Sequence, residues 1–218
     1  MIENHKICAL NITLIDEGGL LDAISGSIIS KQRRIIDYVN AHTIVETYKN
    51  PNLATMMNSF DILHPDGVGV NVASRWLFDN PNFYKRLNGT DFYYQFLRAA
   101  EINSWKIFLF GTHEELLDAA SNNIMTLFPN IVIAGTHHGY VDINDKQVVD
   151  AINSSGADVL FIGLGIPKQE EWIYANKEKI DTTVILSVGG GIDFISGKKT
   201  RAPIFLRNRG LEWLFRMI

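Results

Sequence analysis

The sequence predicts a Rossmann-like α/β fold, in which a mostly parallel sheet carries helices on both faces of a single domain. Short apolar segments ending in glycine recur at residues 106–111, 159–163 and 184–189. Helix-like segments follow the first two, and a glycine turn follows the third. Continuous apolar strands that alternate with helices are typical of parallel sheets buried on both faces. A length of 218 residues suits one domain with a sizeable core.

The individual elements follow from apolar periodicity, caps and glycine or proline breaks. In the first half we expect helices over residues 16–32, 44–48, 53–58 and 68–77, and strands over residues 6–13, 33–39 and 60–63. Residues 79–89 are rich in Asn, Pro and Gly and predict an irregular segment. In the second half we expect strands over residues 106–111, 131–136, 159–163 and 184–189. We expect helices over residues 91–103, 114–128, 169–179 and 203–218.

Composition and charge restrict the classes of function. The chain is 46% hydrophobic, and its net charge of −4 argues against a nucleic-acid partner. It has no secretory signal pattern and no apolar run near the ~20 residues that a membrane-spanning helix needs. The single cysteine, Cys8, excludes an internal disulfide and suits a reducing compartment. We therefore expect a cytoplasmic protein whose membrane contact, if it has one, is peripheral.

The positive charge is concentrated at one end of the sequence. Residues 198–216 hold six cations, with Glu212 as their only acid: Lys198, Lys199, Arg201, Arg207, Arg209 and Arg216. Such a run is either a solvated helix face or a patch for phosphates or anionic lipid headgroups. The apolar residues of the same predicted helix could also pack against a second subunit, which would make the protein a homo-oligomer.

A lone carboxylate lies where open α/β sheets usually bind ligands. Asp66 stands between Pro65 and Gly67, after a predicted strand and before a predicted helix. This is the turn that meets ligands at the carboxyl edge of such sheets. On local sequence alone, Asp66 is equally well interpreted as a cap of the following helix and as a catalytic residue.

Several familiar sites are absent from the sequence. It has no G-x-G-x-x-G fingerprint, P-loop, H-E-x-x-H motif, G-x-S-x-G elbow or D-x-D pair. A nucleotide diphosphate would therefore be bound by backbone N–H groups, helix N-termini and cationic side chains. The Gly189–Gly191 turn is either a binding loop or a flexible turn. Lys168 could meet a phosphate and Gln169 a base or sugar, unless they form an ordinary polar helix start.

Six motifs in order resemble the WecG/TagA/CpsF glycosyltransferases (glycosyltransferase family 26). They begin at His64, Asn88, Gly135, Gly163, Val188 and Arg201, and read HPDGVGV, NGTD, GTHHGY, GLGIPKQE, VGGGIDF and RAP followed by GLEW. Together they are more specific than any one motif alone. The resemblance implies an inverting, metal-independent transfer of a hexose unit, N-acetylmannosamine or a related sugar, from a UDP-sugar. It implies a polyprenyl-diphosphate-linked acceptor at the inner membrane face, in cell-envelope or exopolysaccharide synthesis, and no cofactor.

The same resemblance assigns roles to residues. Asp66 matches the proposed general base, Asn40 lies near the sugar, and Arg86 stabilises the leaving diphosphate. The expected UDP-sugar site contains Tyr38, Gly111, Tyr140, Gly165, Lys168, Gln169, Gly190 and Asp193. The expected membrane or lipid-diphosphate patch contains Lys198, Lys199, Arg201, Arg207 and Arg209.

The chain departs from the family pattern in places. Tyr38 stands where a threonine is common, and Gly190 and Gly191 replace larger or hydroxyl residues. The family usually continues past this sequence into a basic tail, which this chain lacks either naturally or by truncation. Two alternatives remain open on the residues themselves. One is a Rossmann-like isomerase or oxidoreductase acting on a nucleotide sugar, and the other is a non-catalytic nucleotide-sugar-binding module.

Overall fold

The chain folds around a six-stranded, all-parallel sheet, in a computed structural model that describes residues 4–78 and 89–198. Its strands are β3 (Arg34–Val39), β4 (Ile62–Pro65), β5 (Lys106–Gly111), β6 (Val132–His137), β7 (Val159–Gly163) and β8 (Val184–Ser187). Their spatial order is β4-β3-β8-β7-β5-β6. The Rossmann-like α/β prediction is confirmed, and all carboxyl ends of these strands lie at one edge.

Helices connect the strands. They are α1 (Glu17–Ser30), α2 (Ala41–Lys49), α3 (Pro51–Met57), α4 (Val68–Phe78), α5 (Gly89–Asn103), α6 (Glu114–Leu127), α7 (Lys146–Ser155), α8 (Lys168–Asn176) and α9 (Gly191–Ile195). A single 3-10 turn, Lys177–Lys179, extends α8. None of the helices in the described part of the chain combines the length and apolar character that crossing a bilayer requires. The segments predicted at residues 79–88 and 203–218 lie outside the described residues.

Besides the short α9, for which the sequence predicted only a glycine turn, two elements differ from the sequence prediction. Residues 6–13, predicted as one strand, form an antiparallel hairpin of β1 (Asn4–Ile7) and β2 (Leu10–Thr13). The chain reverses at Cys8, whose φ of 53° is left-handed. The hairpin lies beside edge strand β4, where the Leu63 N–H donates to Thr13 Oγ1 at 3.2 Å. The second difference is α7, which the prediction lacked, although Asp145 caps its start and the left-handed Gly156 ends it.

The sheet is buried on both faces because successive side chains of each strand enter opposite apolar clusters. One cluster joins the sheet to α1, α5, α6 and α9 and includes Phe96, Phe161 and Leu186. The other joins it to the hairpin, α3, α7 and α8 and includes Phe110, Ile162 and Trp172. Burial on both faces explains why the strands are almost continuously apolar. Asp37, in the middle of β3, is a buried exception.

Candidate functional site at the carboxyl edge of the sheet

The predicted catalytic turn is at the carboxyl end of edge strand β4. Asp66 is half-buried between β4 and α4, and its N–H donates to the Val39 carbonyl at 2.8 Å. Gly67, with φ of 80°, lets the chain turn into α4. Val39 pairs with Pro65, so Asn40 follows β3 directly beside Asp66. The structure therefore brings two of the predicted catalytic residues together, while Arg86 lies outside the described residues.

Asn40 has a structural task at this position. Its Oδ1 accepts the Thr43 N–H at 3.0 Å, and the Asn40 N–H donates to Thr43 Oγ1 at 3.3 Å. This reciprocal capping box stabilises the start of α2. It also holds the Asn40 side chain at the sheet edge, next to the Asp66 turn.

His64, two residues before Asp66, is a buried neutral histidine. Burial lowers its pKa to about 4, a shift that the Pro65 carbonyl partly opposes. Its ring lies on the face of the sheet that packs against Phe92, with the ring centroids 6.5 Å apart. His64 is therefore uncharged at neutral pH and adds no positive charge beneath Asp66.

The middle of the edge is a floor of main chain made by three glycines. Gly111, Gly163 and Gly189 end or follow the adjacent strands β5, β7 and β8. A Cβ on Gly111 would collide with the backbone of Gly163, and a Cβ on Gly163 would lie 2.5 Å from the Gly189 carbonyl oxygen. The predicted residue Gly111 thus belongs to a row in which neighbouring backbones touch.

The Gly189–Gly191 turn is held between two aromatic rings. A Cβ on Gly189 would meet the Tyr38 ring, and one on Gly191 would lie 2.6 Å from Tyr93 Cε2. The Tyr93 hydroxyl donates to the Val188 carbonyl at 3.1 Å. Gly190, between them, is exposed. The turn is thus packed in a defined shape, with Tyr38 behind it and Gly190 at the surface.

Gln169 supports this turn from below. Its side chain is 0% exposed, and its Oε1 accepts the Gly189 N–H at 3.1 Å. Its Nε2 donates to Glu170 Oε1 at 3.2 Å and makes a longer contact of 3.5 Å with Asp37 Oδ1. The neighbouring Lys168, at the start of α8, is exposed, and Gly165 precedes it with φ of 75° in open space.

Two buried carboxyl groups, to which the motifs assigned no role, lie in this network. Asp37 and Glu170 are 0% and 1% exposed. Burial, and then the Glu170 carboxyl, raises the pKa of Asp37 well above its usual range. Burial likewise raises the pKa of Glu170 to about 7. The sequence signal for this pair was Asp37, an acid within the otherwise apolar residues 35–39. An acid buried in such a strand indicates a nearby partner, because a charged group is rarely buried without one.

The far end of the edge carries a second polar group. Thr112, which follows β5, donates from Oγ1 to Asp193 Oδ1 at 2.6 Å and so connects α9 to this end. Tyr140 is 61% exposed, stacks on His113 with ring centroids 4.2 Å apart, and has its hydroxyl 2.7 Å from His113 Nε2. The motifs did not identify Thr112 or His113.

The predicted residues therefore form groups along one edge. Asn40 and Asp66 stand at one end, Gln169 and the glycine floor in the middle, and Tyr140 at the other end. Five strand spacings of ~4.8 Å separate β4 from β6, or roughly 24 Å. Lys198 is exposed, whereas Lys199, Arg201, Arg207 and Arg209 lie outside the described residues. Within residues 4–78 and 89–198, no three His, Cys, Asp or Glu side chains group to hold a metal ion.

Comparison with known proteins identifies relatives over nearly the whole chain. The model of the glycosyl transferase WecG/TagA/CpsF family matches residues 5–218. An N-acetylglucosaminyldiphosphoundecaprenol N-acetyl-beta-D-mannosaminyltransferase of Staphylococcus aureus (strain NCTC 8325 / PS 47) is 33% identical over 191 residues, which are 88% of this chain and 71% of the relative. The protein of the same name from strain MRSA252 is 32% identical over the same shares.

Proposed function

The chain belongs to the WecG/TagA/CpsF family of glycosyltransferases, and from this premise we propose that it transfers N-acetylmannosamine or a related hexose unit from a UDP-sugar to a polyprenyl-diphosphate-linked acceptor. The transfer inverts the anomeric centre and needs no metal. The observation that carries the proposal is the half-buried Asp66 beside Asn40 at the carboxyl edge of the sheet, in a chain of this family.

In the proposed mechanism Asp66 acts as a general base. Its carboxylate takes the proton of the acceptor hydroxyl while the hydroxyl oxygen forms a bond to the anomeric carbon. The bond from that carbon to the UDP oxygen breaks, and UDP leaves with the electron pair. A single displacement inverts the configuration and requires no second carboxylate as a nucleophile. Asn40 contacts the sugar, and Arg86 stabilises the charge that develops on the diphosphate.

The first turns of the edge helices favour placing the diphosphate at the start of α2. Helices α2 and α4, which follow β3 and β4, have no acidic residue in their first turns. Helices α6 and α8 carry Glu114 and Glu115, and Glu170 and Glu171, at the same place. Because a helix N-terminus attracts anions and a nearby acid opposes them, α2 suits a diphosphate better than α6 or α8, whereas the start of α4 lies next to the Asp66 carboxylate.

The nucleoside part of the donor then extends along the edge. Gly111, Gly163 and Gly189 bring neighbouring backbones into contact, and the open space at Gly165 and the exposed Gly190 let a ligand approach the main chain closely. Tyr38 packs against the Gly189 turn, and Gly165 and Lys168 lie next to it at the start of α8. The polar groups of Asp193 and Tyr140 lie at the far end of the edge. Gln169, being buried, acts on the donor through the Gly189 turn.

The acceptor class is proposed from the relatives. The names of the S. aureus proteins specify an acceptor in which N-acetylglucosamine is linked by a diphosphate to undecaprenol. A lipid-linked acceptor requires contact with a membrane surface. We propose that the cations at 198–216 make this peripheral contact at the inner face of the membrane, in cell-envelope or exopolysaccharide synthesis.

The test is a transfer assay with UDP-hexoses and polyprenyl-diphosphate-N-acetylglucosamine. Asp66→Asn should still bind UDP and lose roughly 10²–10⁴-fold in transfer rate, the usual contribution of a positioned base. Asp22→Asn, on the exposed face of α1, is the matched control and should transfer at the wild-type rate. Full transfer by Asp66→Asn would contradict the assignment of the base.

A further inference from the structure

We propose that Asp37 and Glu170 hold one proton between them and act, through Gln169, as positioning residues for the Gly189 turn. The part of the proposal that concerns UDP rests on the proposed function. The shared proton itself is a property of the folded chain and is tested separately below.

The geometry connects three adjacent parts of the sheet edge. Asp37 belongs to β3, Gln169 and Glu170 open α8 after β7, and Gly189 follows β8. Gln169 has one amide oxygen, which accepts the Gly189 N–H, and one NH₂ group, which faces Glu170 Oε1 and Asp37 Oδ1. The two carboxyl oxygens therefore orient the amide so that its oxygen points at the turn.

Among the described residues, the other two carboxyl oxygens have no donor in hydrogen-bond geometry, and the Ser187 hydroxyl, which lowers the pKa of Asp37, offsets only part of the rise caused by burial. Asp37 Oδ2 and Glu170 Oε2 are buried and have no hydrogen-bond partner in the described part of the chain. Two buried carboxylates close together cannot both ionise without a large cost, so one proton shared by the pair is the low-energy arrangement. Burial raises both pKa values, that of Glu170 to about 7, in agreement with this arrangement.

In the described part of the chain, no buried Lys or Arg lies beside the pair to replace that proton. On α8 the neighbouring charged residues are Lys168, which is exposed, and Glu171, an acid that raises the pKa of Glu170 further. Strand β7 and helix α3, which pack on the same face, contain no charged residue. From β8 the buried neighbour is the neutral Ser187, and His64 of β4 lies on the opposite face. From β3 the Tyr38 N–H donates to Asp37 Oδ1 at 2.8 Å.

Loss of the shared proton should therefore release the turn. When both carboxyls are ionised, their repulsion separates Asp37 from Glu170, and Gln169 loses the two acceptors that orient it. The Gly189 N–H then loses its hydrogen bond to Gln169. The Gly189–Gly191 turn is no longer held in one conformation, so the glycine floor beneath the proposed donor changes. Donor binding should fall with rising pH, through a pair that the donor does not touch.

The first experiment follows the side-chain carboxyl carbons of the wild-type chain by ¹³C NMR from pH 5 to 9. The Asp37 and Glu170 signals should titrate together in one coupled step, well above the pH range of exposed acids. Signals that stay at the chemical shift of the ionised carboxylate throughout this range, as those of exposed acids with a pKa of about 4 do, would overturn the proposal. This measurement needs no variant and no ligand, so it decides the shared proton even if UDP does not bind.

The second experiment measures UDP binding by calorimetry over the same pH range. Wild-type affinity should fall about tenfold per pH unit above the titration of the pair. Glu170→Gln mimics the protonated acid and should remove that fall, whereas Glu171→Gln, next to it in α8, should keep it. UDP also titrates near neutral pH, so the variants are compared with the wild type at each pH. Equal pH dependence of Glu170→Gln and wild type would overturn the positioning role. A wild type that binds no UDP at any pH would instead count against the proposed donor.

Discussion

Adding one methyl group to the glycine floor should damage the site, whereas the same change elsewhere should stabilise the chain. In Gly163→Ala the new Cβ would lie 2.5 Å from the Gly189 carbonyl oxygen and 3.2 Å from Ile192 Cδ1. Gly163 does not have a left-handed φ, so the effect of the methyl group is steric rather than conformational. The obstacle is the backbone of the packed turn that follows the central strand β8, which cannot rotate away as a side chain can.

The size of the effect follows from this overlap. Cβ atoms are essentially never found within 3.0 Å of another heavy atom, so β7 or the Gly189 turn must shift. Overpacking of this kind costs about 1–3 kcal/mol. For a chain of this size 1 kcal/mol corresponds to roughly 2–4 °C in melting temperature, so a fall of about 2–12 °C is expected. The shift also moves Gly189 away from Gln169, and UDP affinity should fall with it.

The assay is thermal unfolding followed by UDP calorimetry, with Gly26→Ala as the control. Gly26 lies exposed within α1 and has nothing within 4 Å of an added Cβ. Alanine there should stabilise the helix by about 0.5–1 kcal/mol and leave UDP binding unchanged. A Gly163→Ala chain as stable as wild type, with wild-type UDP affinity, would refute the close-packed floor.

Three further predictions concern pH, metal and membranes. Because burial raises the pKa of Glu170 from 4.5 to about 7, its protonation stabilises the folded state fully below pH 4.5, and this contribution is lost as the pH rises to 7. In urea unfolding, wild type should lose about 3 kcal/mol relative to Glu170→Gln across that window, and parallel curves would contradict this. Transfer activity should be unchanged by EDTA, and activity that EDTA abolishes and a divalent cation restores would show a metal requirement. Association with anionic vesicles should weaken as salt rises, whereas salt-independent binding to neutral vesicles would exclude the electrostatic patch.

Local patterns were sufficient to predict the sheet and the position of Asp66. The strands at 106–111, 159–163 and 184–189 are apolar on both faces, so their burial is evident without knowledge of their neighbours. The turn at Asp66 follows from Pro65 and Gly67 between an apolar run and a helical one. Both signals are carried by neighbouring residues in the sequence.

Features that depend on contacts between distant segments were not predictable in this way. Gln169 was expected to face a ligand, and its hydrogen bond to the Gly189 N–H arises only when β7 and β8 are adjacent. The pairing of Asp37 with Glu170 likewise joins residues that are far apart in the chain. The hairpin at residues 4–13 was missed because each of its strands has only four residues. By contrast, α7 was missed although its two caps are local signals.

The hairpin beside β4 also matters for how this chain can be shortened. An edge strand offers unpaired N–H and C=O groups, which can pair with the edge of another molecule. Here the hairpin lies along that edge, and Thr13 takes up the Leu63 N–H, three residues before Asp66. Removal of residues 4–13 would expose the edge of this strand and favour edge-to-edge aggregation close to the Asp66 turn. If such a truncated chain lost activity, self-association would therefore be the first explanation, ahead of a direct effect on the catalytic step.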